Sequence, residues 1–423
     1  MKKVLLVCFI FSLLLQAGLF AGGVKEPVEK VEGPVIVEHW YWVPTADEAR
    51  YKEMIDEFNR THSDVQVKWE NIPNAEARTK LISAFVVGEG PDSFAMQEGW
   101  IGEFNAMGML APLNEYVEKW EKKNEIAQNL YDVATFDGVI KGLPWKMLVG
   151  YMYYRADWFK EANIKVPETM DELIEAAKKL TGKYVTDDGD VADRYGYGLR
   201  GGVGGGNTYF LWCQSYGAKI IDENGKIVFD SPEAIEATKK YIGLHRDLKV
   251  VPPSVLNDGF AQIIGAFKSG TTAILQHHIG TSVEISNALG DKVGVMKIPT
   301  GPAGTRWTES GHIAHAISTH SNKKEAAFKF ISWMSEDWAV EHQSRYLGSV
   351  PITKKVAALP YFAENKFYSV STASLPFAGT WPKISTWGNV SSSLTVTLLQ
   401  QALMGEISPE QVVKTIAKAL EEK

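Results

Sequence analysis

The sequence predicts an α/β fold divided between two lobes. Its 423 residues are too many for one compact core, because a single hydrophobic core stops growing at roughly 250–300 residues. From residue 35 onward, segments with the alternating pattern of strands are followed by segments with helical spacing. This alternation indicates lobes in which helices cover largely parallel sheets.

The first elements illustrate the pattern. Residues 35–42 form a strand that ends in the aromatic run Trp40-Tyr41-Trp42. Thr45 and Glu48 have the spacing of a capping box, which predicts a helix through residue 58. Further along, Thr169 and Glu172 have the same spacing. Asn224-Gly225 predicts a hairpin turn and Ser231-Pro232 predicts a helix start.

The N-terminus has the order of a secretory signal. Two lysines precede an apolar run over residues 4–15, and small residues follow at 21–23. A signal peptide is predicted over residues 1–23, with cleavage after Ala21 or Gly23, and a flexible lead-in over 24–33. The alternative is an uncleaved anchor. The protein is therefore expected outside the inner membrane, in the periplasm or on the extracellular face.

Charge and cysteine usage exclude several classes of protein. The net charge of −7 argues against a nucleic-acid binder, which needs a basic face. Cys8 lies in the predicted signal, so Cys213 is left alone and forms no internal disulfide. His312 and His315 are expected to alternate along a strand, and Asp187, Asp188 and Asp190 miss the spacing of a calcium loop. No metal site and no cofactor is predicted.

Motifs in a fixed order carry a family resemblance. In sequence order they are Gly88–Asp92 with Gly108–Leu113, Lys141–Trp145 with Tyr153–Phe159, Val166–Leu173, Ala266–Ile274, Gly294–Pro299 with Ile313–Ile317, and Ala326–Phe330. Together they resemble extracellular solute-binding proteins of the maltose-binding type, the carbohydrate receptors of ABC importers. Arg155 stands where this family usually has Asn.

The resemblance implies a two-lobed periplasmic-binding-protein fold of type II, with a ligand cleft between lobes joined by hinge crossovers. Crossovers are expected just after Lys146, near Glu309 and near Pro360. Lobe 1 would comprise residues 34–146 plus 310–360, and lobe 2 residues 147–309 plus 361–423. A monomer that binds a small carbohydrate or polyol, docks on an ABC permease and catalyses no reaction is expected.

Candidate ligand contacts in lobe 1 lie at strand ends. A sugar site needs aromatic planes and planar hydrogen-bonding groups, and ligands of open α/β sheets bind beyond the carboxyl ends of strands. Those criteria select Trp40, Tyr41, Trp42, Gln97, Glu98, Trp145 and Lys146. Lys146 has the alternative of pairing with an acid.

In lobe 2 the resemblance adds further candidates. The segment after the glycine-rich stretch 201–206 contains aromatic residues where the maltose-binding type stacks sugar, and two histidines stand where it often has Trp. The histidines favour hydrogen bonding over stacking. The candidates are Asn207, Tyr209, Phe210, Trp212, His277, His278, Trp381 and Trp387.

Three alternatives stay open at this point. The same fold could bind a phosphate ester, a polyamine or a metal chelate. A secreted glycoside hydrolase would need two suitably spaced carboxylates. A receptor that reports to a sensor protein cannot be told from a transport receptor. Within the carbohydrate class, both a monosaccharide or cyclic polyol and a disaccharide are open.

Overall fold

The computed structural model describes residues 33–185 and 189–422. The predicted signal peptide, the lead-in up to residue 32, and Asp187 and Asp188 lie outside the described residues. The strands are β1 (Val35–Tyr41), β2 (Val65–Asn71), β3 (Ser93–Gln97), β4 (Thr135–Phe136), β5 (Val139–Ile140), β6 (Leu143–Met147), β7 (Gly150–Arg155), β8 (Gly182–Val185), β9 (Val191–Gly198), β10 (Thr272–His278), β11 (Val293–Met296), β12 (Thr308–Glu309), β13 (His312–Ile317) and β14 (Ala378–Gly379).

Helices cover both main sheets. They are α1 (Glu48–Thr61), α2 (Asn74–Val86), α3 (Ile101–Ala106), α4 (Asn114–Lys119), α5 (Gln128–Val133), α6 (Ala156–Glu161), α7 (Met170–Lys179), α8 (Gly205–Ser215), α9 (Pro232–Arg246), α10 (Phe260–Lys268), α11 (Ser282–Leu289), α12 (Lys324–Trp333), α13 (Asp337–Leu347), α14 (Lys354–Ala357), α15 (Pro360–Glu364), α16 (Lys366–Ser374), α17 (Trp387–Asn389), α18 (Thr395–Met404) and α19 (Pro409–Glu421). A π-helical turn, Val390–Leu394, joins α17 to α18. Among residues 33–185 and 189–422, no helix has the length and apolar character that a membrane crossing requires.

Two five-stranded sheets form the two lobes. The first has the order β2-β1-β3-β13-β6 and the second the order β11-β7-β10-β9-β8. In the first sheet β1 to β3 run parallel, and β13 is antiparallel to both of its neighbours. In the second sheet β9 and β10 run parallel, and β7 is antiparallel to β10 and β11. The predicted two-lobed α/β fold is confirmed, with mixed rather than largely parallel sheets.

The chain passes between the sheets at two short connections. It leaves the first sheet after β6 and enters the second at β7, and it returns between β12 and β13. Further along the chain, α16 packs on β7 and β11 of the second sheet. The division of the chain into the lobes given above by residue number stays a prediction.

Each sheet is sealed by an apolar core. The first core surrounds the first sheet and extends onto one face of the second, and the other face of the second sheet is covered by α7, α8, α9, α18 and α19. Cys213 lies fully buried in the latter core, where burial raises the pKa of its thiol to about 12. A thiol in such surroundings is chemically inert because the reactive species is the thiolate.

Two of the predicted helix starts form as expected. Thr169 and Glu172 make a full capping box on α7, and the Ser231 side chain accepts from the Ala234 N–H at the start of α9. The capping box predicted at Thr45 is wrong, because Thr45–Asp47 form a 3-10 turn and α1 begins without a side-chain cap. The Glu48 carboxylate accepts instead from Asn71 Nδ2, at 2.9 Å, on β2.

Candidate functional site

Polar side chains gather where the edges of the two sheets meet. On the first sheet this edge comprises the carboxyl ends of β1, β3 and β6 and the amino end of β13. On the second it comprises the carboxyl ends of β9 and β10 and the amino end of β7. The two connections join these two edges, so the edges face each other. We call this region the shared edge; its polar residues include Asp47, Gln97, Lys146, Arg200, Asn207, His278 and Glu309.

Most of these side chains are neither sealed in a core nor fully exposed. Six of them are half-buried, whereas Lys146 is only 6% exposed. Lys146, near the end of β6, and Arg200, two residues after β9, both depress the pKa of His278. The two lobes therefore contribute groups to one electrostatic environment.

The first lobe contributes a lysine and an aspartate. Lys146 Nζ lies 4.9 Å from the centre of the Trp145 ring and 5.8 Å from that of Tyr41. Burial lowers the pKa of Lys146 to about 8, while Asp47 opposes the shift. The pKa of Asp47 is raised by burial, which Lys146 opposes and Glu284 reinforces.

The three aromatic residues predicted at the end of β1 lie in different surroundings. Trp40 is half-buried beneath Lys80 Nζ, 4.6 Å from its ring, on the side of α2. Tyr41 packs on Tyr51 in the core, with ring centres 4.9 Å apart. Trp42 lies beyond the strand end, 5.1 Å from the Trp100 ring. Of the three, Trp42 is the one that reaches past β1 toward the end of β3.

Trp145 lies in the core rather than at the shared edge. It has no exposed surface and stacks on His315, with ring centres 4.4 Å apart. The pairing of β6 with β13 shifts register at Trp145, and Lys146 Nζ lies over the Trp145 ring, so both His315 and Lys146 cover that ring. Placing Trp145 at the shared edge was therefore wrong, and Lys146 keeps its place.

Glu98 lies at the shared edge but its carboxylate is occupied. One oxygen accepts from the Trp381 backbone N–H at 2.9 Å and the other from the His312 backbone N–H at 3.1 Å. Burial raises the pKa of Glu98 to about 8; the two N–H donors oppose this rise and the Glu309 charge adds to it. Glu98 thus fastens the C-terminal segment to the end of β3, beside the half-buried Gln97.

Arg200 follows the carboxyl end of β9 and is held by its own loop. Its Nε donates to the Val203 carbonyl oxygen at 2.7 Å. A Cβ atom at Gly204 would lie 2.1 Å from Arg200 Nη2, so glycine is needed there for the guanidinium to fit. Burial lowers the pKa of Arg200 to about 10, which Glu309 opposes.

The predicted histidine pair ends β10 as expected. The Gly280 backbone N–H donates to His278 Nδ1 at 3.1 Å. Burial, with Arg200 and Lys146 nearby, lowers the pKa of His278 to about 3, so the ring is neutral and carries its proton on Nε2. His277 is buried against Phe260, with ring centres 5.2 Å apart. His278 therefore offers an N–H donor at the shared edge, and His277 supports it.

The aromatic residues of α8 lie in the second core. Tyr209 hydrogen-bonds Thr238 Oγ1 at 2.7 Å, and Trp212 Nε1 donates to the Ala237 carbonyl at 3.1 Å. Phe210 is fully buried and contacts Trp387, with ring centres 4.7 Å apart. Predicting Tyr209, Phe210 and Trp212 as ligand contacts was wrong, whereas Asn207 in the first turn stays half-buried.

Close packing of α8 explains this burial. A Cβ atom at Gly206 would lie 1.9 Å from the Ser391 carbonyl oxygen of the π-helical turn. The backbones therefore approach as closely as glycine permits. At that distance the aromatic residues of α8 fill the second core.

The two predicted C-terminal tryptophans lie together beside the crossover. Trp381 and Trp387 stack with ring centres 5.2 Å apart, and Trp307 packs on Trp381 at 4.8 Å. Trp381 Nε1 donates to Glu309 Oε2 at 3.1 Å. Burial raises the pKa of Glu309 to about 7, opposed by this bond and by Arg200. Trp381 and Trp387 are only 4% and 1% exposed and belong to the second core, so predicting them as direct ligand contacts was wrong, whereas the half-buried Trp307 in front of them has surface to offer.

Comparison with known protein families identifies the family of this chain. The sequence profile described as "Bacterial extracellular solute-binding protein" matches residues 42–339. The chain belongs to this family. The resemblance drawn from the motifs is thereby confirmed.

Relatives of this solute-binding protein span most of its length. A putative binding protein of Brucella abortus is 26% identical over 375 residues, which cover 87% of this chain and 88% of the relative. A mannitol-binding protein of Pseudomonas aeruginosa is 26% identical over 304 residues, which cover 68% of this chain and 66% of the relative. The structure of maltose-bound MalE3 from T. maritima superposes with a TM-score of 0.82 at 25% identity, covering 92% of this chain and 99% of that one.

Several residues at the shared edge of this solute-binding protein were not predicted. They are Asp47, Trp100, Arg200, Phe260, Trp307 and Glu309. The strand-end rule that selected Gln97 and Lys146 also selects Arg200, two residues after β9. Glu309 was placed only as a crossover, and its proximity to Arg200 and Trp381 depends on contacts distant in sequence.

Two other features lie apart from this edge. Within the part of the chain that the structure describes, no group of three or more His, Cys, Asp or Glu side chains could hold a metal ion. An open pocket of about 640 Å³ is lined by residues from 114 to 140 alone, among them Asn114, Gln128 and Tyr131. Because the second sheet contributes nothing to that pocket, it is separate from the shared edge.

Proposed function

We propose that this solute-binding protein captures a small sugar or polyol between its lobes and delivers it to an ABC importer outside the inner membrane. The supporting observation is the shared edge, where polar groups of both sheets lie near the half-buried Trp307 ring and the indoles stacked behind it. Aromatic faces stack on the C–H faces of a sugar, and planar polar groups bond its hydroxyls. The mannitol-binding relative and the maltose-bound neighbour support this class of ligand.

The proposed ligand contacts divide into two kinds. The hydrogen-bonding groups are the polar residues of the shared edge, Asp47, Gln97, Lys146, Arg200, Asn207, His278 and Glu309. The apolar contacts are Trp42, Phe260 and Trp307, and Trp381 and Trp387 stack behind Trp307 in the second core. Glu98, His277 and Phe210 hold these groups in place, through contacts described above.

Hinge motion would couple binding to transport. The lobes, residues 34–146 plus 310–360 and 147–309 plus 361–423, would close around the ligand by small changes at the two short connections. Closure by a few connecting residues is a common mode of domain motion. The permease would then bind the closed form of the protein as a monomer. The signal peptide over residues 1–23 would direct its export.

A hydrolase is disfavoured by the carboxylates present. The Glu309 charge contributes to the raised pKa of Glu98, so these two carboxylates are the candidates for a hydrolytic pair. However, both oxygens of Glu98 accept backbone N–H bonds, so this carboxylate is occupied by the fold. Binding without turnover is the function that this geometry supports.

Thermal unfolding in the presence of ligands tests the proposal. The chain from residue 24 onward would be heated with a panel of neutral sugars and polyols. A ligand at 100 times its dissociation constant adds about 2.7 kcal/mol to the free energy of unfolding, which raises the midpoint by several degrees. A shift with the ligand recovered unchanged is expected. A cleaved ligand would identify an enzyme, and a shift caused only by phosphates, polyamines or metals would refute the carbohydrate assignment.

A further inference from the structure

Uncovered aromatic faces limit how many sugar units a cleft can hold. Each ring of a sugar chain presents a C–H face, and an aromatic side chain stacks on it only where its own face is uncovered. An oligosaccharide therefore needs a series of uncovered aromatic faces, whereas a single sugar ring or a short polyol needs one. The aromatic residues at the shared edge differ in how far other side chains already cover them.

Four rings of the second lobe pack on one another in a row. Trp307 packs on Trp381 with ring centres 4.8 Å apart, Trp381 on Trp387 at 5.2 Å, and Trp387 on Phe210 at 4.7 Å. We call these four rings the aromatic row. The planes of Trp381 and Trp387 are 21° apart, so each covers a face of the other. Trp381 therefore occupies the position that a stacked sugar ring would take between Trp307 and Trp387.

Trp387 is closed off by the first lobe as well. A Cβ atom at Gly99 would lie 3.0 Å from Trp387 Nε1, which places the loop after β3 against the edge of the indole. Phe210, its other neighbour in the aromatic row, is itself fully buried. Trp387 thus has no uncovered face on which a sugar ring could stack.

Trp381 is fixed in the aromatic row by hydrogen bonds. Its Nε1 donates to Glu309 Oε2 at 3.1 Å, and its backbone N–H donates to Glu98 Oε1 at 2.9 Å. The bond to Glu98 joins this segment to the first sheet, where the same carboxylate accepts from the His312 N–H. Moving the indole aside for a ligand would break the first bond and strain the second, so Trp381 is a permanent part of the site.

The tryptophans of the first lobe are covered too. Trp42 and Trp100 are 6% and 7% exposed and pack on each other with ring centres 5.1 Å apart. Trp42 also packs on Tyr41, again at 5.1 Å. Trp42 can touch a ligand with its small exposed part, but it does not offer a face as large as a sugar ring.

Two half-buried rings of the second lobe remain, and one of them is engaged. Phe260 lies against His277, with ring centres 5.2 Å apart, and the Arg200 guanidinium carbon lies 5.9 Å from its ring centre. Trp307 begins the aromatic row and has Trp381 on one side only. Among the aromatic residues that the structure places at the shared edge, Trp307 is therefore the platform on which a sugar ring can stack.

We propose that the cleft holds a single sugar ring or a sugar alcohol of similar length, and that Trp381 excludes a second ring by filling its place. This inference rests on the proposed function, because it concerns the ligand of the same site. It selects the smaller of the two ligand sizes that the sequence leaves open. A disaccharide would find one platform, and its second ring would meet the covered side of the aromatic row.

Matched ligands of two sizes test this inference directly. The chain from residue 24 onward is titrated calorimetrically with D-glucose, maltose and cellobiose; D-galactose and lactose; D-mannose and mannobiose; D-xylose and xylobiose; D-glucitol and maltitol; and D-mannitol and glucosyl-mannitol. At least one of the small probes is expected to bind tenfold or more tightly than the disaccharide that contains it. Equal or tighter binding of the disaccharide in every set that binds would overturn this inference and leave the capture of a carbohydrate standing. Binding by no probe would overturn both.

Substitution of the filling residue tests the role of Trp381. Trp381→Ala removes the ring between Trp307 and Trp387, so the affinity of the disaccharide relative to that of its small counterpart is expected to rise at least tenfold. Trp381→Leu leaves a smaller opening and should move the ratio in the same direction, which provides a second variant should the first fail to fold. Free indole, which matches the removed ring, is expected to restore the wild-type ratio in Trp381→Ala.

A matched control separates ligand size from stability. Trp212→Ala removes an equally buried indole from the same core, outside the aromatic row, and is expected to lower the unfolding midpoint while leaving the ratio unchanged. An unchanged ratio in the folded Trp381 variants, or an equal rise in Trp212→Ala, would overturn the role assigned to Trp381.

Discussion

Two histidine pairs lie in the two lobes, one in a core and one at the shared edge. His39 and His315 sit behind the first sheet with ring centres 5.0 Å apart, and His277 and His278 end β10 with ring centres 4.1 Å apart. The difference between them is in their hydrogen bonds. Among the residues that the structure describes, His39 Nε2 and both ring nitrogens of His315 are buried without a hydrogen-bond partner, although His39 Nδ1 bonds Ser93 Oγ at 2.8 Å. His278 Nδ1, in contrast, accepts from the Gly280 N–H.

Because of this difference, the core pair lowers the stability of the fold, whereas the pair at the shared edge can bind a ligand. An unpartnered buried imidazole has lost its bonds to water and gains nothing in exchange. A ring whose one nitrogen is fixed by the loop has its tautomer set, and its other nitrogen is free to meet a ligand. Burial lowers the pKa of all four rings, so both pairs cost stability at low pH, but the pair at the shared edge also offers a nitrogen to a ligand.

The largest expected effect is the acid sensitivity of the core pair. Burial lowers the pKa of His39 to about 3 and that of His315 well below its ordinary value. The unfolded state takes up these protons first as the pH falls below about 6.5. Each imidazole therefore removes about 1.4 kcal/mol of unfolding free energy per pH unit. Chemical denaturation at pH 7 and pH 5 measures this loss.

His315→Phe isolates the contribution of one ring. The variant is expected to lose less stability between pH 7 and pH 5 than the wild type, by about 2 kcal/mol over the 1.5 pH units concerned. At pH 7 it should be as stable as the wild type or more so, because no hydrogen bond is removed. An equal loss in both proteins would show that other groups carry the acid sensitivity.

Next in size is the ligand contact of His278. His278→Asn has no donor at the position of Nε2 and should weaken ligand binding about tenfold, as expected for the loss of one good hydrogen bond. His278→Gln keeps a donor near that position and should bind within a few-fold of the wild type. Calorimetric titration with the sugar or polyol that gives the largest midpoint shift compares the two. If both variants bind equally, His278 contributes no donor to the ligand.

A smaller effect is expected from disturbing the loop that fixes this ring. A Cβ atom at Gly280 would lie 2.7 Å from His278 Cε1, so Gly280→Ala must displace the imidazole. Ligand affinity should fall several-fold, roughly 1 kcal/mol, while the acid sensitivity of the core pair stays unchanged. Gly265→Ala on α10 meets nothing within 4 Å and serves as the control. A change in acid unfolding with unchanged affinity would reverse the roles assigned to the two pairs.

The smallest effect concerns a hydroxyl behind the edge. Thr281 Oγ1 lies 3.2 Å from both the Tyr153 hydroxyl and the His278 carbonyl oxygen. Thr281→Val keeps the shape and removes these bonds, so the free energy of unfolding should fall by about 1 kcal/mol. Thr397→Val, at an exposed position of α18, should change it much less. Equal losses in the two variants would mean that the Thr281 bonds stabilise nothing.

The sequence predicts a residue's position well where that position depends only on residues close to it along the chain. Strand ends are local, so Gln97, Lys146, His277 and His278 were placed where the structure has them. Whether a strand residue lies in the core or at the surface depends on contacts with distant residues. Trp145 was misplaced for this reason, since it lies fully in the core next to Lys146. The hydrophobic pattern alone does not show which side chains of a strand end lie in the core and which lie at the shared edge.

The remaining differences arise from contacts between distant parts of the chain. The aromatic residues of α8 are buried because Gly206 lies against Ser391, far along the sequence. Glu98 is at the edge as predicted, but its role is set by the backbone at His312 and Trp381. Glu309 likewise bonds Trp381 of a distant segment, whereas Arg200 is held by its own loop and could have been found from its place after β9.

The buried thiol of the second core has a practical consequence for studying ligand capture. Cys213 is the single cysteine from residue 24 onward, and its raised pKa and burial protect it from thiol-directed dyes. A cysteine introduced at an exposed site, such as Val203 beside the Arg200 loop, would therefore be labelled selectively without removing the native one. A fluorophore attached there would report the environment of the loop in real time, so the unmodified core of this protein is already suited to building an optical sensor for its ligand.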